Sequence, residues 1–455
     1  MERKRLSVGT KLGYGVADLG NNLFIQALGF VLLIYLTDTV GLSAALAGTA
    51  LMIGRIWDAF YDPVIGYISD RTKTRMGRRR PFMLGGAIPW FIVMIIMFTN
   101  PSLIIGSGIS QAVLFAYALI VYMVLCTAYS TVNVPYYSWA PELTSDYHER
   151  TSLNGYRSAF AFFGNLIALG TALPIVALSQ NKSVGFVLMG LIFGGVMLIT
   201  TLTTVFATKE PADLKPAKSL DIGKTYLAVF KNRPYVLILL SYIINFTGIT
   251  IISGIAIYYF KYILVAENMV TYAMLILLVT SVVFIPISVV IAKKTGKKPV
   301  YGAASVITAA SVMMLFFFGH TLGLNFALVM MFFLGIGLGF TYVPPFAMVA
   351  DAIEYDYLVT GERREGAFFG IWTWGLKLGQ ALAVFLMGVI LEAMGYVANA
   401  MPQSASAQLG IRLFLGPISA AIFILSAVVL YFYPITEKRY KEILAEIAER
   451  DAKKA

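Results

Sequence analysis

Apolar residues run through this chain in long blocks separated by short polar turns. Twelve blocks, each about 20 residues or more, are long enough to cross roughly 30 Å of hydrocarbon as helices. They cover about residues 13–36, 44–69, 81–99, 110–139, 156–180, 184–207, 234–260, 268–292, 299–318, 324–350, 366–396 and 408–434. The pattern predicts an all-α integral membrane protein with twelve transmembrane helices. The first block is too long for a cleaved signal and carries Asp18, Asn21 and Asn22, so it reads as a retained span.

After the sixth span comes the longest internal polar segment, "TKEPADLKPAKSLDIGKTYLAVFKNRP". It divides the chain into a six-helix half at 1–207, a linker at 208–233, a second six-helix half at 234–435 and a tail at 436–455. The halves echo each other. "STVNVPYYSWAPELTSDYHERTSLNGYR" in the first corresponds to "FTYVPPFAMVADAIEYDYLVTGERREGAFFG" in the second, and "DRTKTRMGRRRP" to the shorter "AKKTGKKP". Paired pseudo-symmetric halves are how many secondary transporters are built, with a site at the membrane midplane. The tail reads as an amphipathic cytoplasmic helix with Tyr440, Ile443, Leu444 and Ile447 on one face.

Composition agrees: 58% of the 455 residues are hydrophobic, only 13% are charged, and the mean hydropathy is +0.77. The net charge of +11 would suit a nucleic-acid partner if the cations were spread over a surface. They are not. Nearly all lie at the N-terminus, in the even-numbered loops and in the tail, while the odd-numbered loops hold little beyond Lys182, Lys261 and Arg412. This asymmetry predicts both termini in the cytoplasm, a multi-pass plasma-membrane protein (inner membrane if bacterial), contact with anionic lipid and no nucleic-acid partner. A single cysteine, Cys126, excludes an intrachain disulfide, and two histidines, His148 and His320, do not make a conventional zinc cluster. An enzyme would need a nucleophile and base or a metal set beside the intramembrane charges, and neither histidine sits there.

The ionisable residues inside the spans are Asp18 on the first, Arg55, Asp58 and Asp62 on the second, and Lys377 on the eleventh. Such groups are costly in hydrocarbon, about 3 kcal/mol each on insertion scales, so they mark function by default. Arg55, Asp58 and Asp62 fall at i, i+3 and i+7 on one helical face, with the two carboxylates one turn apart. Two neighbouring carboxylates repel unless a cation, a basic side chain or a shared proton lies beside them. Asp58 is twelve residues from Asp70 and Lys377 twelve from Glu365, which places both about 18 Å into the membrane. A buried ion-pair network that only fixes packing is the competing reading.

Polar and aromatic residues complete the candidate pocket: Ser130, Thr131, Asn133 and Tyr137 on the fourth span, Arg157 on the fifth, Tyr342 on the tenth, Trp372 and Trp374 on the eleventh. With Asp18 and Asn22 they supply ring faces for sugars and acceptors for hydroxyls. Outside the membrane, Asp70 and Arg71 with the run Arg78, Arg79 and Arg80 form a candidate clamp, an acid at a helix end ringed by arginines. Asp351 and Arg363 hold the corresponding stretch of the second half.

Gly66 to Arg79 resembles the loop between helices two and three of the major facilitator superfamily. "RIWDAFYDP", "VPYYSWAPELTSDYHERTSLNGYR" and "ADAIEYDYLVTGERREGAFFG" followed by "GLKLG" are narrower. Together they resemble the glycoside-pentoside-hexuronide:cation symporter family over about residues 8–435. The resemblance implies the major facilitator fold and cotransport of a sugar-like solute with sodium, lithium or a proton by alternating access, without other cofactors; twelve helices suffice for a monomeric carrier. It implies that Asp58 and Asp62 hold the cation with a hydroxyl at Ser130, joined by Thr131. Arg157 and Lys377 belong to the solute and coupling region, and Arg55 to coupling. The family's galactoside carriers have acids where this chain has Asn22 and Asn133, and tryptophan at Tyr137. That departure turns the expectation from a galactoside toward a uronide, a pentoside or a different solute that suits Arg157 and Lys377. "ALGFVLLIYL" and "GRIWDA" also resemble a branch that carries lysophospholipids with sodium, which is the alternative reading.

Overall fold

The computed structural model describes residues 6–106, 108–144, 146–208, 229–362 and 364–452. Among these residues there is no strand, and ten helical stretches are long and apolar enough to cross a membrane. One of them, Lys297–Thr360, is 64 residues long and holds two crossings in succession. The helix Ala44–Arg71 falls outside the ten because Arg55, Asp58, Asp62, Asp70 and Arg71 break its apolar run. With these the described helices make twelve spans, as the hydrophobic blocks predict.

Contacts divide the chain into two compact units, Met1–Lys218 with Val384–Ser404, and Ser219–Ala383 with Ala405–Ala455. The first contains α1 (Val8–Gly15), α2 (Ala17–Ile34), α3 (Ala44–Arg71), α4 (Arg80–Met97), α5 (Gln111–Leu143), α6 (Tyr147–Ala177) and α7 (Lys182–Ala207). The second contains α8 (Arg233–Tyr258), α9 (Val270–Thr295), α10 (Lys297–Met314), α11 (His320–Tyr342), α12 (Pro344–Thr360), α14 (Ala405–Leu413), α15 (Ser419–Tyr431) and α16 (Glu437–Ala452). The helix α13 (Glu365–Ala393) contributes its first part to the second unit and its last turns to the first. Those last turns and the segment that follows them are fastened there by hydrogen bonds. Glu392 Oε2 accepts from the Ala45 amide at 2.7 Å, Tyr396 donates its hydroxyl to Asp38, and Asn399 Nδ2 donates to the Asp38 carbonyl at 2.6 Å.

In the first unit α2 lies against α6, and α3 and α4 against α5. Small residues set these distances, because helices in lipid gain little from apolar burial and must approach closely to gain dispersion. A Cβ on Gly164 of α6 would sit 2.2 Å from the Leu19 carbonyl oxygen, and one on Gly20 would sit 2.4 Å from Thr200 Oγ1. Gly164→Val is therefore expected to push α6 off α2 and misplace Arg157, costing about 1–3 kcal/mol of stability. A thermal melt of the purified protein checks it, and an unchanged midpoint would mean that the packing yields at no cost.

The largest differences from the sequence reading fall at two spans and in the tail. The fifth span begins at Tyr147 rather than 156, because its first turns extend past the apolar block, where Lys11 pairs with Glu149 at 2.9 Å. The tenth is broken between Tyr342 and Pro344, where consecutive prolines remove two amide donors. In the tail, Ile443 and Ile447 are buried in a core cluster flanked by Tyr355, Tyr357 and Leu358, but Leu444 is exposed. One residue advances a helix by about 100°, which turns Leu444 out of the face that Ile443 and Ile447 share. Arg450 then donates to the carbonyls of Tyr357 and Leu358 at 2.7 and 3.1 Å, covering the end of α12. Arg363 and residues 209–228 of the expected linker lie outside the described residues.

Candidate functional site

Asp18, in the first turn of α2, is buried, and its carboxylate is held from two other helices. Arg157 Nε of α6 donates to Oδ2 at 2.7 Å, and the Tyr136 hydroxyl of α5 donates to the same oxygen at 2.9 Å. The Arg157 guanidinium lies over the rings of Tyr14, Tyr136 and Tyr137 at 5.9, 5.2 and 4.8 Å. Tyr14 and Tyr136 stack at 4.7 Å and exchange hydroxyl-to-carbonyl hydrogen bonds. The arginine is thus fixed by one carboxylate and an aromatic box. A cavity of about 210 Å³ opens beside it, lined by Tyr137, Ala140, Arg150, Leu153, Asn154 and Arg157.

The structure uses the two asparagines of this region internally. Asn22 Nδ2 donates to the Asp18 carbonyl at 2.9 Å, one turn back on its own helix, and Asn133 Nδ2 donates to the Tyr129 hydroxyl at 2.7 Å. Tyr14, Tyr136 and Asn154 are missing from the sequence reading. Tyr136 adjoins the selected Tyr137, but nothing in the sequence signals that it is buried against Asp18 and Tyr14.

A second cluster lies on α3 and α5. Asp58 is fully buried, and Ser130 Oγ donates to its Oδ1 at 2.6 Å. Asp62 is one turn further along α3 and half-buried. Pro63 follows it inside the helix. Having no N–H, Pro63 leaves the Ala59 carbonyl, between the two aspartates, without the amide donor that another residue would supply. Carboxylates, a hydroxyl and a backbone carbonyl on facing helices are the donors that a hard cation takes. Thr131 donates its hydroxyl to the Thr127 carbonyl at 2.7 Å and lies 3.2 Å from the Tyr61 hydroxyl. Arg55 lies over the Tyr122 ring at 6.0 Å.

The basic turn after α3 forms a compact ion network. Arg79 is 4% exposed, and it bonds Asp70 at 2.5 Å, Glu142 of α5 at 2.8 Å and Ser69 Oγ at 2.8 Å. Arg78 joins Glu142 at 2.8 Å, while Arg71 stacks on the Tyr67 ring at 3.6 Å instead of joining the network. The second unit repeats the device: Lys297 reaches both oxygens of Asp351 at 2.7 Å. Arg79 and Lys297 each stand two residues before a proline, at 81 and 299, and Glu142 and Asp351 each stand seven after the proline of Val-Pro, at 135 and 344. The internal repeat noticed in the sequence is therefore a repeated ion pair. Glu142 was its unassigned member. Asp356 and Arg364 add a two-pronged pair in the second unit, with contacts of 2.8–3.1 Å.

The other sequence-selected residues of the second unit are not gathered into one cluster. Trp372 is 2% exposed and its ring is stacked on Tyr242 at 4.3 Å, so it packs the core. Tyr342, at the end of α11, and Trp374 are exposed. Lys377 is half-buried on α13.

Comparison with known proteins decides the family. The family described as MFS/sugar transport protein matches residues 13–437. The chain belongs to it. Within this family it is a glycoside-pentoside-hexuronide:cation symporter. It is 30% identical to the glucuronide carrier protein homolog of Escherichia coli (strain K12), covering 98% of this chain and 97% of that one. It is also 30% identical to the isoprimeverose transporter of Lactiplantibacillus pentosus, covering 97% and 91%. The crystal structure of a D-xylose-proton symporter shares the fold with a TM-score of 0.68 at 16% identity, covering 94% of this chain and 97% of that one. The sugar-transport family member described here is thus a multi-pass membrane carrier and not an enzyme. It moves a sugar-like solute together with a cation.

Proposed function

We propose that the solute is an acidic sugar derivative of the uronide class and that sodium is the coupling ion. The observation that carries the solute class is the cavity beside Arg157. Arg157 spends Nε on Asp18, donates Nη1 to Asn154 at 3.2 Å, and still lines the cavity together with Arg150. Guanidinium groups suit a carboxylate, and Tyr137 offers a face to the ring. The name of the glucuronide carrier relative supports the same class. For the ion, we assign Asp58, Asp62 and Ser130, with the Ala59 carbonyl, as ligands, since all of them offer the oxygen donors that a hard cation takes.

Coupling has a physical route within the first unit. Ser130, bonded to Asp58, and Tyr136, bonded to Asp18, are six residues apart on α5. A cation at Asp58 competes for the Ser130 lone pairs and neutralises α3, and a shift of α5 moves the donor that orients Asp18 and Arg157. Arg55 and Lys377 are the basic residues we assign to coupling. We assign the Arg79–Glu142 and Lys297–Asp351 pairs to gating, and place both termini in the cytoplasm from the lysine and arginine bias. Differential affinity of the outward and inward states then lets the cation gradient drive the solute.

Transient current on a solid-supported membrane tests the reading, with purified protein in liposomes and a panel of glucuronides, pentosides and neutral glycosides with and without sodium. Sodium-dependent current to glucuronides is expected. Equal currents to neutral glycosides would overturn the acidic-solute assignment. Current that follows a proton gradient alone would overturn the sodium assignment, and silence from protein that binds sodium would turn the solute toward a lysophospholipid.

A further inference from the structure

A separate cavity of about 520 Å³ lies in the second unit, where α9 turns into α10 and the chain from α15 leads into α16. Its floor is apolar, made by Val289, Ala292, Val343, Ala347, Met348 and Ile435. Lysines stand at its rim. The volume falls in the range of about 300–1,000 Å³ usual for small-molecule pockets.

The charges at the rim do not cancel. Asp351 is satisfied by Lys297, whose Nζ also lies 5.2 Å from the Tyr440 ring. Glu437 is satisfied by Lys441 at 2.7 Å, which also holds its carboxyl below the usual range. Lys298 donates only to neutral groups, the carbonyls of Tyr431 and Tyr433 at 2.6 and 3.0 Å. Lys293 is exposed in the last turn of α9. Among the described residues neither Lys293 nor Lys298 has a carboxylate partner, so the rim carries two uncompensated positive charges over an apolar floor.

We infer that this cavity holds an anionic phospholipid of the surrounding bilayer, its phosphate against Lys293 and Lys298 and its glycerol and first acyl carbons on the apolar floor. Basic pockets between membrane helices at the cytoplasmic side favour such headgroups. A free inorganic anion would leave the floor unused, and a zwitterionic lipid would leave the surplus charge unmatched. The site lies at the end of a 26-residue crossing helix, where lysine side chains reach the headgroup layer. The occupant would brace α12 beside the Lys297–Asp351 pair, so its binding should stabilise the second unit. The inference rests on the membrane reading of α9 to α12 and is independent of which solute or ion is carried.

Native mass spectrometry of the full-length protein, titrated with phosphatidylglycerol or phosphatidylcholine, tests it alongside thermal melts in each lipid. Wild type should retain phosphatidylglycerol about tenfold better than phosphatidylcholine and melt higher in it. The double variant Lys293→Gln, Lys298→Gln should lose that preference while melting like wild type in phosphatidylcholine. Should the double variant misfold, the single change at exposed Lys293 should show part of the same loss. Equal retention of the two lipids by wild type, or an unchanged preference in a folded variant, would overturn the proposal.

Discussion

Replacing Asp58 by Asn should abolish cation-driven accumulation of solute while the protein stays folded. The carboxylate is fully buried and accepts from Ser130 at 2.6 Å. Asparagine keeps the shape and an oxygen that can accept the same bond, and removes the charge that attracts the cation. Loss of one partner from a buried charged site costs about 3–5 kcal/mol, which corresponds to about 100–4,000-fold in cation affinity. Ser130→Ala removes only a charge-assisted hydrogen bond of about 1.5–3 kcal/mol, so a smaller loss of about 10–100-fold is expected. Titrating sodium against transient current gives both values. An Asp58→Asn carrier that still accumulates solute on a sodium gradient would remove Asp58 from the cation site. Asp62→Asn is expected to follow Asp58→Asn if the two carboxylates share the ion.

The second large effect is at Arg157. Arg157→Gln leaves the Asp18 carboxylate, 3% exposed, with Tyr136 but no cation. A buried charge stripped of its partner costs about 3–5 kcal/mol, so the variant should melt well below wild type and show no solute current. Arg157→Lys should fail to restore transport, because an ammonium cannot bond Asp18, contact Asn154 and stack over three tyrosine rings from one planar group. Combining Asp18→Asn with Arg157→Gln should recover much of the melting temperature and none of the transport, which separates packing from solute recognition. The melt can be followed with a thiol-reactive dye, because the single cysteine, Cys126, is buried in the folded protein. Wild-type stability together with wild-type transport in Arg157→Gln would refute the assignment.

Much of this was legible in the chain because membrane burial makes each charge costly. Asp18, Asp58 and Asp62 stand out against apolar runs, and helical periodicity alone puts Asp58 and Asp62 on one face. What stayed hidden was partner choice. Tyr136 is buried, bonds Asp18 and stacks on Tyr14, while the neighbouring Tyr137 is partly exposed at the cavity; adjacent positions on a helix face about 100° apart, so the sequence cannot say which is buried without knowing the rotation of α5. Trp372 was selected for its ring, yet that ring is covered by Tyr242; an aromatic in a membrane helix looks the same whether it packs or binds. Glu142 sat unremarked in a quoted motif, because its role depends on Arg79 arriving from another helix.

Hydropathy and helical period are local properties, so the twelve spans, the family and the few ionisable positions could be read from the chain alone. Packing was needed to show that Arg79 takes Glu142 while Lys297 takes Asp351, that Arg157 and Tyr136 both bond Asp18, and that Leu444 turns outward while Ile443 and Ile447 dock. These outcomes depend on helix rotation and close approach, set by contacts such as Gly164 against Leu19. Partners far apart in the chain meet only when packing fixes those two quantities.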